Sequence, residues 1–126
     1  MAKSFWRKEV IQPALNRDVE AVVAEQLSIL ARDPQNSHAY FALGTLSHFQ
    51  GEIEQAIQYF EKAIEIDPTY AAPHVSLGRL YAVQGENELA WKHARAAEQY
   101  GDRTVVELLE RYGCATSNRM PRPDVS

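Results

Sequence analysis

An all-α fold of repeated antiparallel helix hairpins is predicted for this chain by three observations. The first is self-similarity at a period of 34 residues: Leu43-Gly44 recurs as Leu77-Gly78, Gln50-Gly51-Glu52 as Gln84-Gly85-Glu86, Asp33-Pro34 as Asp67-Pro68, and Ala56 and Ala63 as Ala90 and Ala97. The second is apolar spacing. Over residues 52–66, Ile53, Ala56, Ile57, Phe60, Ala63 and Ile64 recur at steps of three and four, leaving Glu52, Glu54, Gln55, Gln58, Glu61, Lys62 and Glu65 for solvent. That is one buried face of a helix. The third is punctuation. Gly51 and Gly85 stand where one helix ends and its partner begins, and Asp-Pro at 33–34 and 67–68 breaks the chain before the next hairpin.

These signals predict helices at 3–12, 14–32, 36–50, 52–66, 70–84, 86–100 and 103–112. Pro13 either separates the first two or opens a single long helix to 32, because proline is tolerated in a first turn. Pro73 falls in the first turn of the helix beginning near 70, whose amide donors have no helical partner anyway. Gly44 and Gly78 lie inside helices, where glycine costs about 1 kcal/mol relative to alanine. A close helix–helix approach explains them, with Ala56 and Ala90 as the small partners. Between repeats Ile57 becomes Trp91 while Phe60 becomes Ala94, a gain in volume matched by a loss one turn on. The last helix has a stripe of Val105, Leu108, Leu109 and Tyr112, suited to cover the final repeat, and Gly113 ends it.

The repeated residues resemble the tetratricopeptide (TPR) family, whose pattern runs aromatic, Leu-Gly, Tyr, then Ala, Phe and Pro in a second helix. Residues 37–70 match with Tyr40, Leu43, Gly44, Ala56, Phe60, Ala63 and Pro68, and have Ser47 where tyrosine is usual. Residues 71–104 match with Leu77, Gly78, Tyr81, Ala90 and Ala97, but His74 replaces the aromatic and Ala94 the Phe. In residues 3–36 Trp6, Asp18 and Pro34 hold the phase, while Glu9-Val10 and Pro13 depart from it. The resemblance implies a superhelical stack, a TPR-like α-solenoid. Its single domain is expected over 1–113, made of a degenerate repeat 3–36, repeats 37–70 and 71–104, and a capping helix 103–112. The tail 114–126, with two prolines and little apolar content, is expected to be disordered.

Composition removes several function classes. Thirteen Lys and Arg against 17 Asp and Glu give a net charge of −4 with no basic cluster, so no nucleic-acid partner is expected. No apolar run approaches the ~20 residues of a membrane span. Residues 1–7 carry charge without an apolar core behind them, so no secretory signal is read and the cytoplasm is the expected compartment. Cys114 stands alone, which excludes an internal disulfide or a multi-cysteine metal site. No two of His38, His48, His74 and His93 are four apart, and His38 and His48 sit roughly 15 Å apart along one helix. His74 fills an aromatic slot and is expected to be packed. The carboxylates lie on solvent faces and no Gly-rich phosphate loop is present. No enzyme, metal or cofactor is expected.

A surface remains. In a superhelix of hairpins the first helix of each repeat lines the concave side. Projected away from its packed stripe, the middle repeat offers His38, Phe41, Thr45, His48 and Phe49. The third offers Ala72, Val75, Arg79, Ala82 and Val83, and the first, if it keeps the phase, Arg7, Ile11 and Leu15. This lining is apolar, carries two arginines and no acidic residue, although the chain is acidic. The expected role is an interaction module holding an apolar peptide or helix of another protein; the alternative is self-assembly through the same surface or the first hairpin. Some TPR domains clamp a chaperone carboxylate, and the corresponding slots here are Arg7, Ile11, Ala42, Ala72 and Ser76. Only Arg7 suits that role, so no chaperone clamp is expected.

Overall fold

The computed structural model of the chain describes residues 12–112, with side chains from Asp18 onward. Arg7, Ile11, the body of the helix expected at 3–12 and the tail 114–126 lie outside the described residues. Among the described residues there are six helices: α1 (Gln12–Arg32), α2 (Ser37–Phe49), α3 (Ile53–Ile66), α4 (Ala71–Val83), α5 (Asn87–Gln99) and α6 (Thr104–Arg111). Among the described residues there is no strand, and the all-α, TPR-like class stands. Pro13 falls within the first described turn of α1.

Three helices end in the same way. Gly51, Gly85 and Gly101 adopt φ of +83°, +80° and +105°, the left-handed region open to glycine. At each, the glycine N–H donates to the carbonyl three residues back (His48, Ala82 and Glu98) at 3.0–3.1 Å. The next N–H reaches five residues back, Glu52 to Ser47, Glu86 to Tyr81 and Asp102 to Ala97, at 2.8–2.9 Å. This paired arrangement satisfies carbonyls a helix end otherwise leaves bare. Gly101 lies outside the 34-residue pattern; it takes the place that Asp67-Pro68 holds one repeat earlier. There the turn is built by a side chain, for Asp67 Oδ1 accepts from Thr69 N at 3.1 Å and Thr69 Oγ1 at 2.7 Å. Asn36 caps α2, its Oδ1 accepting from Ala39 N at 2.9 Å.

The described residues divide into two compact units, one up to Tyr59 and one from Phe60. In the first, α1 packs against α2. Val19, Ala39, Leu43, Gly44 and Ala56 are buried there, and the Tyr40 and Tyr59 rings lie 6.3 Å apart. In the second, α4, α5 and α6 pack on one another. Its core is Ala90, Trp91, Ala94, Val105, Val106 and Leu109, with Val75, Tyr81 and Ala82 against it. Trp91 and Ala94 thus share one core, as the exchange of volume between repeats requires.

Gly78 meets the expected Ala90 and also a nearer neighbour that the sequence did not indicate. A Cβ built there would meet Val105 Cγ1 of α6 at 2.9 Å, whereas Ala90 contributes its carbonyl oxygen at 3.5 Å. Gly78 thus lies against α5 through the Ala90 backbone, and the tightest contact is with the capping helix, since the Val105 side chain enters the space that the glycine leaves.

Candidate functional site

Within the unit from Phe60, α4 and α6 border a cavity of about 320 Å³ lined by Arg79, Ala82, Val83, Leu108, Leu109 and Tyr112. Helical spacing explains the lining. Arg79 and Val83 are four apart on α4, with Ala82 between them on the same side, and its small side chain leaves the space open. Leu108 and Tyr112 are four apart at the end of α6, while Leu109 turns its side chain into the core. Val83 is 87% exposed and Tyr112 68% exposed, unusual for large apolar side chains.

A second cavity of about 300 Å³ adjoins the first, lined by Arg79, Thr104, Glu107, Leu108 and Arg111. Arg79 and Leu108 line both. Glu107 lies 3.8 Å from Arg103, which also holds Glu98 at 2.9 Å. Hydrogen bonds from Thr104 hold the Asp102 carboxyl below the usual carboxylate range, helped by the Arg79 charge. An apolar recess thus continues into a polar one across a guanidinium.

Among residues proposed from the sequence, Arg79 and Val83 line the first cavity. Val75 is half-buried and packs against the core. In the other unit His38, Thr45 and His48 are exposed, Phe41 is half-buried, and Phe49 is 65% exposed near the end of α2. Thr45 Oγ1 donates to the Phe41 carbonyl at 3.1 Å, a bond internal to the helix. Leu108 and Tyr112 belong to the cavity, although periodicity alone assigns them to the covering stripe of the last helix. The signal was present in part, since a helix with Val105 and Leu109 inward presents Leu108 and Tyr112 near the edge of that face. His74 is buried, as its aromatic slot requires, and its partner is His93.

Among the described residues, no group of three or more His, Cys, Asp or Glu side chains could hold a metal ion, and no helix is long and apolar enough to cross a membrane.

Comparison with known proteins gives the geometry a family. Tetratricopeptide repeat models match residues 37–70 and 59–92. The chain is similar to a protein of Pseudomonas putida described as a probable biofilm formation methyltransferase WspC, 33% identical over 57 residues, 45% of this chain and 13% of that one. It is also similar to a CTR9 homolog of Arabidopsis thaliana, 34% identical over 70 residues, 56% of this chain and 6% of that one. The chain thus spans a small fraction of the length of both relatives. Tetratricopeptide repeats generally serve non-catalytic contact between proteins. With helices that pair in sequence, glycines at the hairpin turns and two overlapping repeat matches, residues 37–92 belong to the tetratricopeptide-repeat family.

Proposed function

We propose that the chain is a non-catalytic cytoplasmic adaptor that holds an apolar peptide or helix of another protein, with the recess between α4 and α6 as an anchor point. The observation that carries this reading is the apolar wall of exposed Val83 and Tyr112 and half-buried Leu108 beside the Arg79 guanidinium. One apolar side chain seated there would contribute about 1.5–3 kcal/mol by leaving water. Arg79 would orient a ligand that carries a carboxylate near that anchor. In the other unit His38, Phe41, Thr45, His48 and Phe49 offer a further stretch, and Arg7 and Ile11 extend the proposal by repeat phase alone. Val75, one helical turn before Arg79, packs against the core. The name of the Pseudomonas relative does not bring methyl transfer here, because the similarity covers only 13% of that protein.

Selection from a displayed random-peptide library tests the proposal. Enriched peptides should share an apolar residue beside an acidic group, and Val83→Asp should abolish their binding while circular dichroism stays unchanged. Sedimentation at several concentrations tests self-assembly: a dimer dissociated by Val83→Asp would assign the surface to a second copy. Peptides that bind the Val83→Asp variant as tightly as the parent would remove the recess from the function.

A further inference from the structure

Thirty-four residues after the tyrosines at 40 and 59 come histidines, His74 and His93. Both pairs join rings in the same geometry: Tyr40 and Tyr59 at 6.3 Å and 35°, His74 and His93 at 5.4 Å and 34°. The fold therefore accepts a pair there that does not titrate below neutral pH, and this repeat carries one that does. The histidines sit inside a row of four rings. Tyr81 stacks on His93 at 5.7 Å and Tyr100 on His74 at 6.3 Å, leaving the imidazoles 7% and 8% exposed.

The hydrogen bonds set the tautomers. His74 Nε2 lies 3.2 Å from the Pro68 carbonyl oxygen, which can only accept, so Nε2 carries the proton. Neutral His74 then has a lone pair on Nδ1. His93 Nδ1 stands 3.2 Å from it and must be the donor. One hydrogen lies between the rings. A further proton on the pair has two places to go. On His93 Nε2 it creates a buried charge next to Lys92. On His74 Nδ1 it faces the His93 N–H, so that two donors oppose each other and the contact breaks.

The surroundings do not compensate. From α5 comes Lys92, which disfavours positive charge on both rings. From α4 and the end of α5 come the phenols of Tyr81 and Tyr100; from α3 comes Glu61, 3.5 Å from the Tyr81 hydroxyl. Before α4, the Asp67 carboxylate is held by Thr69. The residues that α6 adds to the core, Val105, Val106 and Leu109, are apolar. Among the described residues no carboxylate forms a hydrogen bond or ion pair with either imidazole.

We propose that His74 and His93 form an acid-sensitive latch, which holds α4 closed on α5 while both rings are neutral and releases it when they take up protons. Burial is the main force against protonation. It lowers His74, partly offset by the bond to Pro68, and with the His74 and Lys92 charges it pushes His93 down to about 4 from 6.5. The native rings thus bind protons less readily than the unfolded ones. Stability is complete above the unfolded value of 6.5 and is lost as pH falls from there toward 4. For His93 alone, the unfolding equilibrium constant rises roughly 20-fold between pH 7 and pH 5. Arg79 and Val83 ride on α4, so release would also dismantle the recess; that consequence alone rests on the proposed function.

Urea unfolding of the full chain at pH 7 and pH 5, beside a His74→Tyr, His93→Tyr double variant, tests the latch. The substitutions restore the ring pair of the preceding repeat, and His38 and His48 remain in both proteins. The parent's unfolding constant should rise at least tenfold more than the variant's. Equal rises, within about twofold, would overturn the latch. If the variant does not fold, imidazole nitrogen NMR of the parent decides. Protonation of His93 near pH 4 from the Nδ1–H tautomer supports the proposal; protonation near pH 6.5, or the Nε2–H tautomer, overturns it. Neither measurement involves a ligand, so failure here is separate from failure of the binding proposal.

Discussion

Val105 Cγ1 occupies the place of the side chain that Gly78 lacks, 2.9 Å from where a Cβ would stand. Val105 is fully buried and has core on its other sides, so its methyl group has little room to retreat. Gly78→Ala should therefore destabilise by up to about 2 kcal/mol, the overpacking cost of ~1–3 kcal/mol less the helix-propensity gain of about 1. Urea unfolding should show that cost vanishing in a Val105→Ala background, where the propensity gain alone is left. An equal cost in both backgrounds would mean that the two residues do not compete for this space.

The core from Phe60 onward depends on the last helix. Leu109 is fully buried in the cluster that also holds Trp91, with the Arg95 guanidinium 5.3 Å from the Trp91 ring. Leu109→Ala should cost about 2–5 kcal/mol. Trp91 fluorescence should shift to the red at a lower urea concentration in this variant than in the parent. A parent-like midpoint would show that α6 does not close the core.

Asp102 gives a pH dependence of opposite sign to that of the histidines. Its Oδ1 accepts from Thr104 N at 2.8 Å at the start of α6, and this bond with the Thr104 hydroxyl lowers its pKa below 3.8. A carboxyl lowered in the folded state stabilises above its unfolded value, and that stability is lost as pH falls through the folded one. Asp102→Ala should cost about 1 kcal/mol at pH 7, a typical value for a lost helix-start acceptor, and progressively less below about pH 4. Thermal melts of both proteins across that range check the convergence.

Binding should separate by charge. In Arg79→Glu, a selected acidic peptide should lose roughly tenfold or more in affinity, while its neutral amide analogue changes less. Raised salt should narrow the difference, because the guanidinium lies at the surface. Calorimetry on the four combinations checks it, and equal losses for both peptides would assign Arg79 a packing role only.

The order of the described helices, and their limits from Arg32 onward, were legible in the sequence because their causes are local. Ala56, Phe60 and Ala63 define a buried stripe through spacing alone, and Gly51 and Gly85 end their helices through hydrogen bonds that reach no further than five residues. Gly101 escaped the repeat pattern, yet its cap obeys the same short-range rule. Position 78 was readable as a close approach to Ala90, but the nearer approach of Val105 was not. Val105 lies 27 residues away, and its arrival depends on how α6 docks. The pairing of His74 with His93, 19 residues apart, likewise depends on the register of α4 against α5, and that register places the two Nδ1 atoms 3.2 Å apart. Leu108 and Tyr112 were visible as apolar residues of the last helix, while their place beside Arg79 and Val83 was decided by packing: Val105 and Leu109 filled the available core first. Periodicity assigns a residue to a face of its helix. Only the packed helices determine what that face meets, because the partner is chosen by shape and burial across the fold rather than by distance along the chain.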